Sequence, residues 1–197
     1  MSSWTAIVPF KTAGLRKTRL APDLSPAARD RLAQTMFDHV IDVLDSCPRV
    51  GRIAVLSETA PDRAALDWLV DQGRGLNAEL QALSVAGPRL ILHADLPLVT
   101  AADVAALLTA ATDGIAIAPD RHGTGVNALA LDSGMTLTPA FGPDSYARHH
   151  ALAVTPLMTV RRDGLALDVD TPDDLAEAVR RGFRPENCGK RPLRHLR

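Results

Sequence analysis

The stretch Arg89-Leu90-Ile91-Leu92-His93 constrains the fold of this 197-residue chain more than any other. Its apolar residues run on without alternation, so a strand there is covered on both faces, as strands are inside a parallel sheet. Parallel strands need crossover connections, and the flanking sequence offers helices at suitable intervals. Residues 4–9, WTAIVP, form a first buried strand ending at a proline. Ser25-Pro26 opens a helix, with Ser as N-cap and Pro at the first helical position. That helix runs to about Ser46, with Leu32, Met36, Phe37, Val40, Ile41, Val43 and Leu44 as its apolar stripe. Residues 52–57 read as a second strand. Pro61 is expected to begin a helix through Ala65, Leu66, Trp68 and Leu69, ending near Gly73. The glycine turn Gly73-Arg74-Gly75-Leu76-Asn77 then leads into a helix to about Val85.

After the central strand, Thr100 caps a helix, with Asp103 completing a variant capping box. Residues 114–118 and 128–131 read as strands around the polar loop PDRHGTGVN. FGPDSYARHH is a loop feeding a short helix, residues 153–160 and 165–168 are β-like, and Thr171-Pro172-Asp173-Asp174 starts a last helix. The short strands between 114 and 160 are expected as antiparallel additions at a sheet edge. These elements predict an α/β fold, a mostly parallel mixed sheet with helices on both faces. The expected organisation is one domain over residues 1–181 and a basic tail over 182–197.

Composition excludes several function classes. Hydrophobic residues make up 46% and charged residues 23%, ordinary for a globular chain and unlike a disordered or collagen-like one. The net charge of −1 gives no reason to expect nucleic acid or a membrane surface. Asp103 and Asp113 interrupt the most apolar region, so no run reaches the roughly 18 residues of a membrane span. With no targeting pattern at the N-terminus and two cysteines, Cys47 and Cys188, lacking a disulfide or zinc spacing, the expected location is the cytoplasm.

Ligands of open α/β sheets bind at the carboxyl ends of the strands, and four candidate features fall there. The loop after the first strand carries Lys11, Arg16, Lys17 and Arg19 around Gly14; only three lysines occur in the chain and two are here. A freely rotating ammonium suits phosphate oxygens approached from several directions, although a solvated basic loop is the plain alternative. Neither phosphate-loop nor dinucleotide fingerprint is present. Asp95, directly after the central strand, is a natural oxygen ligand for Mg²⁺, with capping of the next turn as its alternative. His93 reads as a core or supporting histidine. Asp168 and Asp170 lie on one face of an extended segment, and either could be a second metal carboxylate. The loops Gly123-Thr124-Gly125-Val126-Asn127 and Phe141-Gly142-Pro143-Asp144-Ser145 can form backbone anion nests or be ordinary turns. A metal carboxylate, lysines and anion nests are the equipment of phosphoryl or nucleotidyl transfer.

The order of VPFKTAGLRKTRLAP, DQGRGLNAEL, HADLPLV, HGTGVNALAL, FGPDSYARHH and DVDTPDDL resembles the 2-phospho-L-lactate guanylyltransferase family of coenzyme F(420) biosynthesis, from about residue 5 to residue 180. The resemblance implies a glycosyltransferase-A-like nucleotidyltransferase fold. It implies joining GMP from GTP to a phosphorylated three-carbon acid, with release of pyrophosphate. Candidate acids are 2-phospho-L-lactate, phosphoenolpyruvate and 3-phospho-D-glycerate. By this pattern Lys11, Lys17 and Arg19 hold the triphosphate, and Lys17 and Asp95 serve the chemistry. Asp95 takes Mg²⁺ together with Asp168 or Asp170, and Gly75, Leu76 and Asn77 meet the nucleotide. Thr124, Asn127, Gly142 and Ser145 surround the acid. The expected partners are GTP and the acid, with no nucleic acid and no membrane, and a homodimer is left open. Alternatives are a nucleotide-binding regulatory relative without turnover, and a sugar-phosphate nucleotidyltransferase or glycosyltransferase on the same fold.

Overall fold

The computed structural model describes residues 3–11 and 17–185. Gly14 and Arg16 of the basic loop, and Cys188 and the rest of the expected tail from residue 186, lie outside the described residues. Among the described residues seven strands form one sheet: β1 (Trp4–Pro9), β2 (Val50–Ser57), β3 (Asp67–Val70), β4 (Arg89–Leu92), β5 (Ile115–Pro119), β6 (Val126–Leu131) and β7 (Leu157–Thr159). Their spatial order is β3-β2-β1-β4-β6-β5-β7. Only β6 runs against the others, pairing antiparallel with β4 and β5. This is the mostly parallel mixed sheet that the sequence predicts.

Alternation along β1 and β4 divides the core in two. Ala6, Val8, Leu90 and Leu92 face helices α1 (Pro26–Asp45) and α3 (Ala101–Ala110), against Phe37, Val40, Ile41, Leu44, Val104 and Leu107. Ile7 and Ile91 face the other way, toward Leu80 of α2 (Leu76–Ala82), Phe141, and Tyr146 of α4 (Ser145–Leu152). The expected two-sided cover of the central strand is therefore observed. Helix starts follow local chemistry. The Ser25 side chain accepts the Ala28 N–H at 3.3 Å, with Pro26 at the start of α1. Thr100 and Asp103 form a full capping box on α3. Thr171 and Asp174 do the same for α6 (Pro172–Arg180).

Three expectations are corrected. The segment after Pro61 is not a helix: residues 67–70 are the edge strand β3, parallel to β2. Its residues alternate, with Trp68 and Val70 exposed and Leu69 packed on the core, and the Trp68 indole donates to Ser57 O at 3.0 Å. Ladder bonding to an open edge overrides an apolar spacing that also fits a helix. The antiparallel strand is not an edge addition. β6 is buried along its whole length, between β4 and β5, and the edge strand β7 is parallel to β5. Finally, residues 163–166 form a single helical turn, α5 (Asp163–Ala166), rather than a strand.

That turn positions half of the site. Gly164 sits where a Cβ would press on Asp103 Oδ2 and lie 2.6 Å from Leu98 O and 3.0 Å from Val99 Cα. The Asp103 carboxylate cannot yield, since Thr100 and Arg162 both hold it. The close approach lets the following residues lie along the end of β4, where the Val169 N–H donates to Asp95 O at 3.1 Å. Gly164→Ala is therefore expected to lower stability by about 1–3 kcal/mol, the usual cost of overpacking against groups that cannot move. Urea unfolding with an unchanged m-value checks this; a variant as stable as the parent would show that the turn shifts freely.

Candidate active site

The carboxyl ends of β1, β4 and β5 open on one edge of the sheet, and the candidate groups gather there. Asp95, Asp168 and Asp170 each offer an oxygen within 4.8 Å of the others. Two come from the extended segment before α6, which the Val169–Asp95 backbone bond docks beside β4. Sequence reasoning left Asp168 and Asp170 as alternatives; the structure brings both to Asp95.

Lys17 enters this cluster. Its Nζ donates to Asp95 Oδ2 at 2.5 Å and to Asp170 Oδ1 at 2.9 Å. Its backbone is left-handed, at φ 51°, a costly conformation for a side chain other than glycine and one that recurs at functional sites. Burial alone would lower the Lys17 pKa, but Asp95 and then Asp170 outweigh it and hold the ammonium above its ordinary value. Burial would likewise raise Asp95, yet the charges of Lys17 and His93 keep it below the usual carboxylate range. Among the described residues Asp168 has no such ammonium. Burial, followed by the Asp95 charge, raises its pKa, and a hydrogen bond from Asn127 only partly offsets them. Asp95 Oδ1 is buried and lacks a partner among the described residues. Three converging carboxylates, one with an unpaired buried oxygen, fit a hard divalent cation bound through oxygen.

The remaining candidates are distributed as follows. Arg19 is exposed and lies 3.5 Å from Asp170. Lys11 is exposed just past β1. Gly75, at φ 91°, precedes α2, whose first residues are Leu76 and Asn77. Thr124 is held in a turn by Asp120, which accepts its N–H at 2.9 Å, and Thr124 O accepts the Tyr146 N–H at 2.9 Å. That bond joins the 123–127 loop to the start of α4, bringing Thr124, Gly142 and Ser145 into one neighbourhood. Gly142 has φ 111°, Asp144 φ 54°, and Ser145 is buried. Asn127 belongs elsewhere: its amide is buried and donates to Leu165 O at 3.0 Å and Asp168 Oδ1 at 3.2 Å. It fixes a carboxylate of the acidic cluster.

Among the supporting residues, Glu79 escaped the sequence reading, whereas His93 was read as a core or supporting histidine. Glu79 accepts the N–H groups of Gln72 and Arg74, each at 3.0 Å, and the Arg74 guanidinium, and so shapes the turn before α2. These bonds, led by Arg74, depress its pKa to about 2. An acid in the first turn of a helix after a glycine pair is a signal that could have found it. His93 packs its ring 5.2 Å from Phe141 and has a buried Nε2 without a partner among the described residues. Among the described residues no helix is long and apolar enough to cross a membrane.

Comparison with known proteins agrees with this architecture. The family profile "Guanylyl transferase CofC like" matches residues 4–196. A phosphoenolpyruvate guanylyltransferase of Sphaerobacter thermophilus is 41% identical over 188 residues, covering 87% of this chain and 90% of the relative. One from Streptomyces coelicolor is 35% identical over 199 residues, covering 94% of each. Among solved structures, a nucleotide-diphospho-sugar transferase-like protein of Desulfovibrio desulfuricans G20 superposes with a TM-score of 0.70 at 15% identity, over 95% of this chain and 90% of that one. A Mycobacterium tuberculosis H37Rv protein solved in complex with manganese gives 0.59 at 17% identity, over 91% and 99%. The two structures share the fold; the sequence relatives and the profile carry more. The chain belongs to the CofC-like guanylyltransferase family and is a nucleotidyltransferase.

Proposed function

We propose that this protein transfers the GMP moiety of GTP to the phosphate of phosphoenolpyruvate, with Mg²⁺ as the metal and pyrophosphate as the second product. The observation that carries the reading is the convergence of Asp95, Asp168 and Asp170 on Lys17, beside two glycine-bearing loops tied together by the Tyr146–Thr124 bond. The names of the two sequence relatives favour phosphoenolpyruvate over 2-phospho-L-lactate and 3-phospho-D-glycerate. In coenzyme F(420) biosynthesis the guanylylated product would be an activated three-carbon unit.

An oxygen of the acid's phosphate attacks the α-phosphorus of GTP, a new P–O–P link forms, and the bond to the β-phosphate oxygen breaks to release pyrophosphate. The nucleophile is already anionic near neutral pH, because the second pKa of a phosphate monoester is about 6. No side chain has to remove a proton. The barrier is set by bringing two anions together, which fixed positive groups and aligned N–H donors lower. Lys17, beside the carboxylates, offers its ammonium to the triphosphate, with Lys11 and Arg19 on its exposed flank. Gly75 and Leu76 lie on the nucleotide side. Thr124, Gly142 and Ser145 receive the acid. Bound Mg²⁺, held by Asp95, Asp168 and Asp170, would neutralise phosphate charge.

Pyrophosphate release with GTP, ATP and CTP against each of the three acids tests the assignment. The expected pair is GTP with phosphoenolpyruvate, and release with no pair would overturn it. Lys17→Ala should lower kcat/KM by roughly 10²–10³, as loss of a charged contact to the transition state does. A change under about twofold would mean that Lys17 only balances the carboxylates. Ser145→Ala should raise KM for the acid by roughly 10- to 150-fold, the worth of one hydrogen bond to a charged group, and leave KM for GTP unchanged. The reverse pattern would exchange the two pockets.

The raised pKa of Asp168 gives a fourth test. A carboxyl raised by folding favours the native state below its unfolded pKa, and that stability is lost as pH rises through the folded value. Near neutral pH the ionised group therefore costs stability. Asp168→Asn keeps an acceptor for Asn127 and removes the charge, so metal-free Tm should rise. Mg²⁺ at about 100 times its Kd should add about 2.7 kcal/mol to the parent and less to the variant. Equal Mg²⁺ stabilisation of both would take Asp168 out of the metal site.

A further inference from the structure

Within the loop proposed to receive the acid, the backbone holds itself through a turn bond from the Ser145 N–H to Gly142 O at 3.1 Å. Gly142 has φ 111° and Asp144 φ 54°, two departures from ordinary conformations within three residues. Asp144 precedes α4 without a side-chain cap bond. Left-handed residues outside helices persist where their surroundings over-determine them. Here two side chains do so, one 64 residues earlier in the chain and one in the helix that follows the loop.

Asn77, at the start of α2, grips Phe141 from one side. Its Oδ1 accepts the Phe141 N–H at 2.8 Å and its Nδ2 donates to Phe141 O at 2.9 Å. His149, fully buried in α4, grips the preceding residue. Its Nε2 accepts the Ala140 N–H at 3.1 Å, and its Nδ1 meets Ser145 O at 2.7 Å. A backbone N–H can only donate and a carbonyl can only accept. The ring must therefore be neutral with its proton on Nδ1. Its edge contact with Phe141, 5.1 Å between centroids, closes the bracket. Each amide and ring atom named is spent on the loop's backbone, which argues against Asn77 as a direct contact to the nucleotide.

We propose that Asn77 and His149 are positioning residues for the acid substrate: together they fix the backbone of residues 140–145 so that the Gly142 and Asp144 N–H groups and the Ser145 hydroxyl meet the acid's anionic groups. The proposal rests on the reading that this loop receives the acid. Asn77 also ties that loop to the turn before α2, so acid pocket and nucleotide side share one support. Neither residue touches the reacting atoms, and their loss should appear in acid binding rather than in the chemical step.

The experiment compares Asn77→Leu, Asn77→Asp, His149→Leu and His149→Gln by steady-state kinetics with GTP and phosphoenolpyruvate, alongside amide hydrogen exchange of the peptide spanning residues 139–146. Asn77→Leu and His149→Leu leave buried N–H groups unpaired and should raise KM for the acid on the order of 5- to 150-fold. KM for GTP and kcat should stay within about threefold of the parent, by the same arithmetic for interactions that are untouched. His149→Gln keeps an acceptor near Ala140 and should recover most of the loss. Asn77→Asp keeps the acceptor and sets a carboxylate against Phe141 O, so it should behave like Asn77→Leu. Exchange should quicken in this peptide in the affected variants. If a Leu variant does not fold, the Gln and Asp variants carry the test. Unchanged exchange and unchanged KM for the acid in folded variants would overturn the proposal, as would a rise confined to KM for GTP at Asn77. Faster exchange in variants of a parent that consumes no acid would instead sink the functional reading and leave the bracket standing.

Discussion

Three carboxylates brought within 4.8 Å of one another repel, and much of the structure serves to hold them there. The repulsion is offset from within by the Lys17 ammonium, bonded to Asp95 and Asp170. It is resisted from without by bonds that leave the segment 167–171 no freedom. Val169 donates to Asp95 O, the Asp170 and Thr171 N–H groups donate to Asp174 Oδ2, and Asn127 reaches Asp168. Arg121 pairs with Asp174 at 2.5 Å, and so extends the brace to the loop after β5. Such preorganisation costs folding energy, because like charges are assembled before any ligand arrives. It spares that cost at the moment of binding.

How much of this could be read from sequence follows the range of each interaction. The starts of α1, α3 and α6 were legible because a cap and its partner lie three residues apart, as with Thr100 and Asp103. The central strand was legible because burial on both faces removes alternation. β3 was misread because Ala65, Leu66, Trp68 and Leu69 satisfy a helical spacing, and the ladder that decides otherwise belongs to β2. α5 was missed because a single helical turn has too few residues to display a period.

The site shows the same division. Asp95 was found because a carboxylate directly after a buried parallel strand has few structural uses. Asp168 and Asp170 could not be ranked, since their shared neighbour is 73–75 residues earlier in the chain. Asn77, Asn127 and His149 resist sequence reading for a sharper reason. An amide or imidazole in a loop suits a ligand and a backbone equally well, and only the folded chain shows which is in reach. Asn127 turned out to serve Asp168, 41 residues on.

The reversed strand β6 explains how loops from both halves of the chain meet at one edge. Had the chain crossed over again after β5, the next strand would have begun at the far edge of the sheet. Its first residues would then lie a strand's length from Asp95. By turning back at residues 120–125, the chain starts β6 at the carboxyl ends of β4 and β5, in the register Leu92↔Ala128 and Ala118↔Ala128. Asn127 is thereby level with His93, whose N–H donates to Asn127 O at 3.0 Å. Its side chain falls beside Asp168, and the turn itself becomes the loop carrying Thr124. The strand is flanked on both sides and buried throughout, so slipping by one residue would move every apolar side chain to the opposite face. The register that places Asn127 is therefore enforced by the core, and the acidic cluster inherits its geometry from hydrophobic packing.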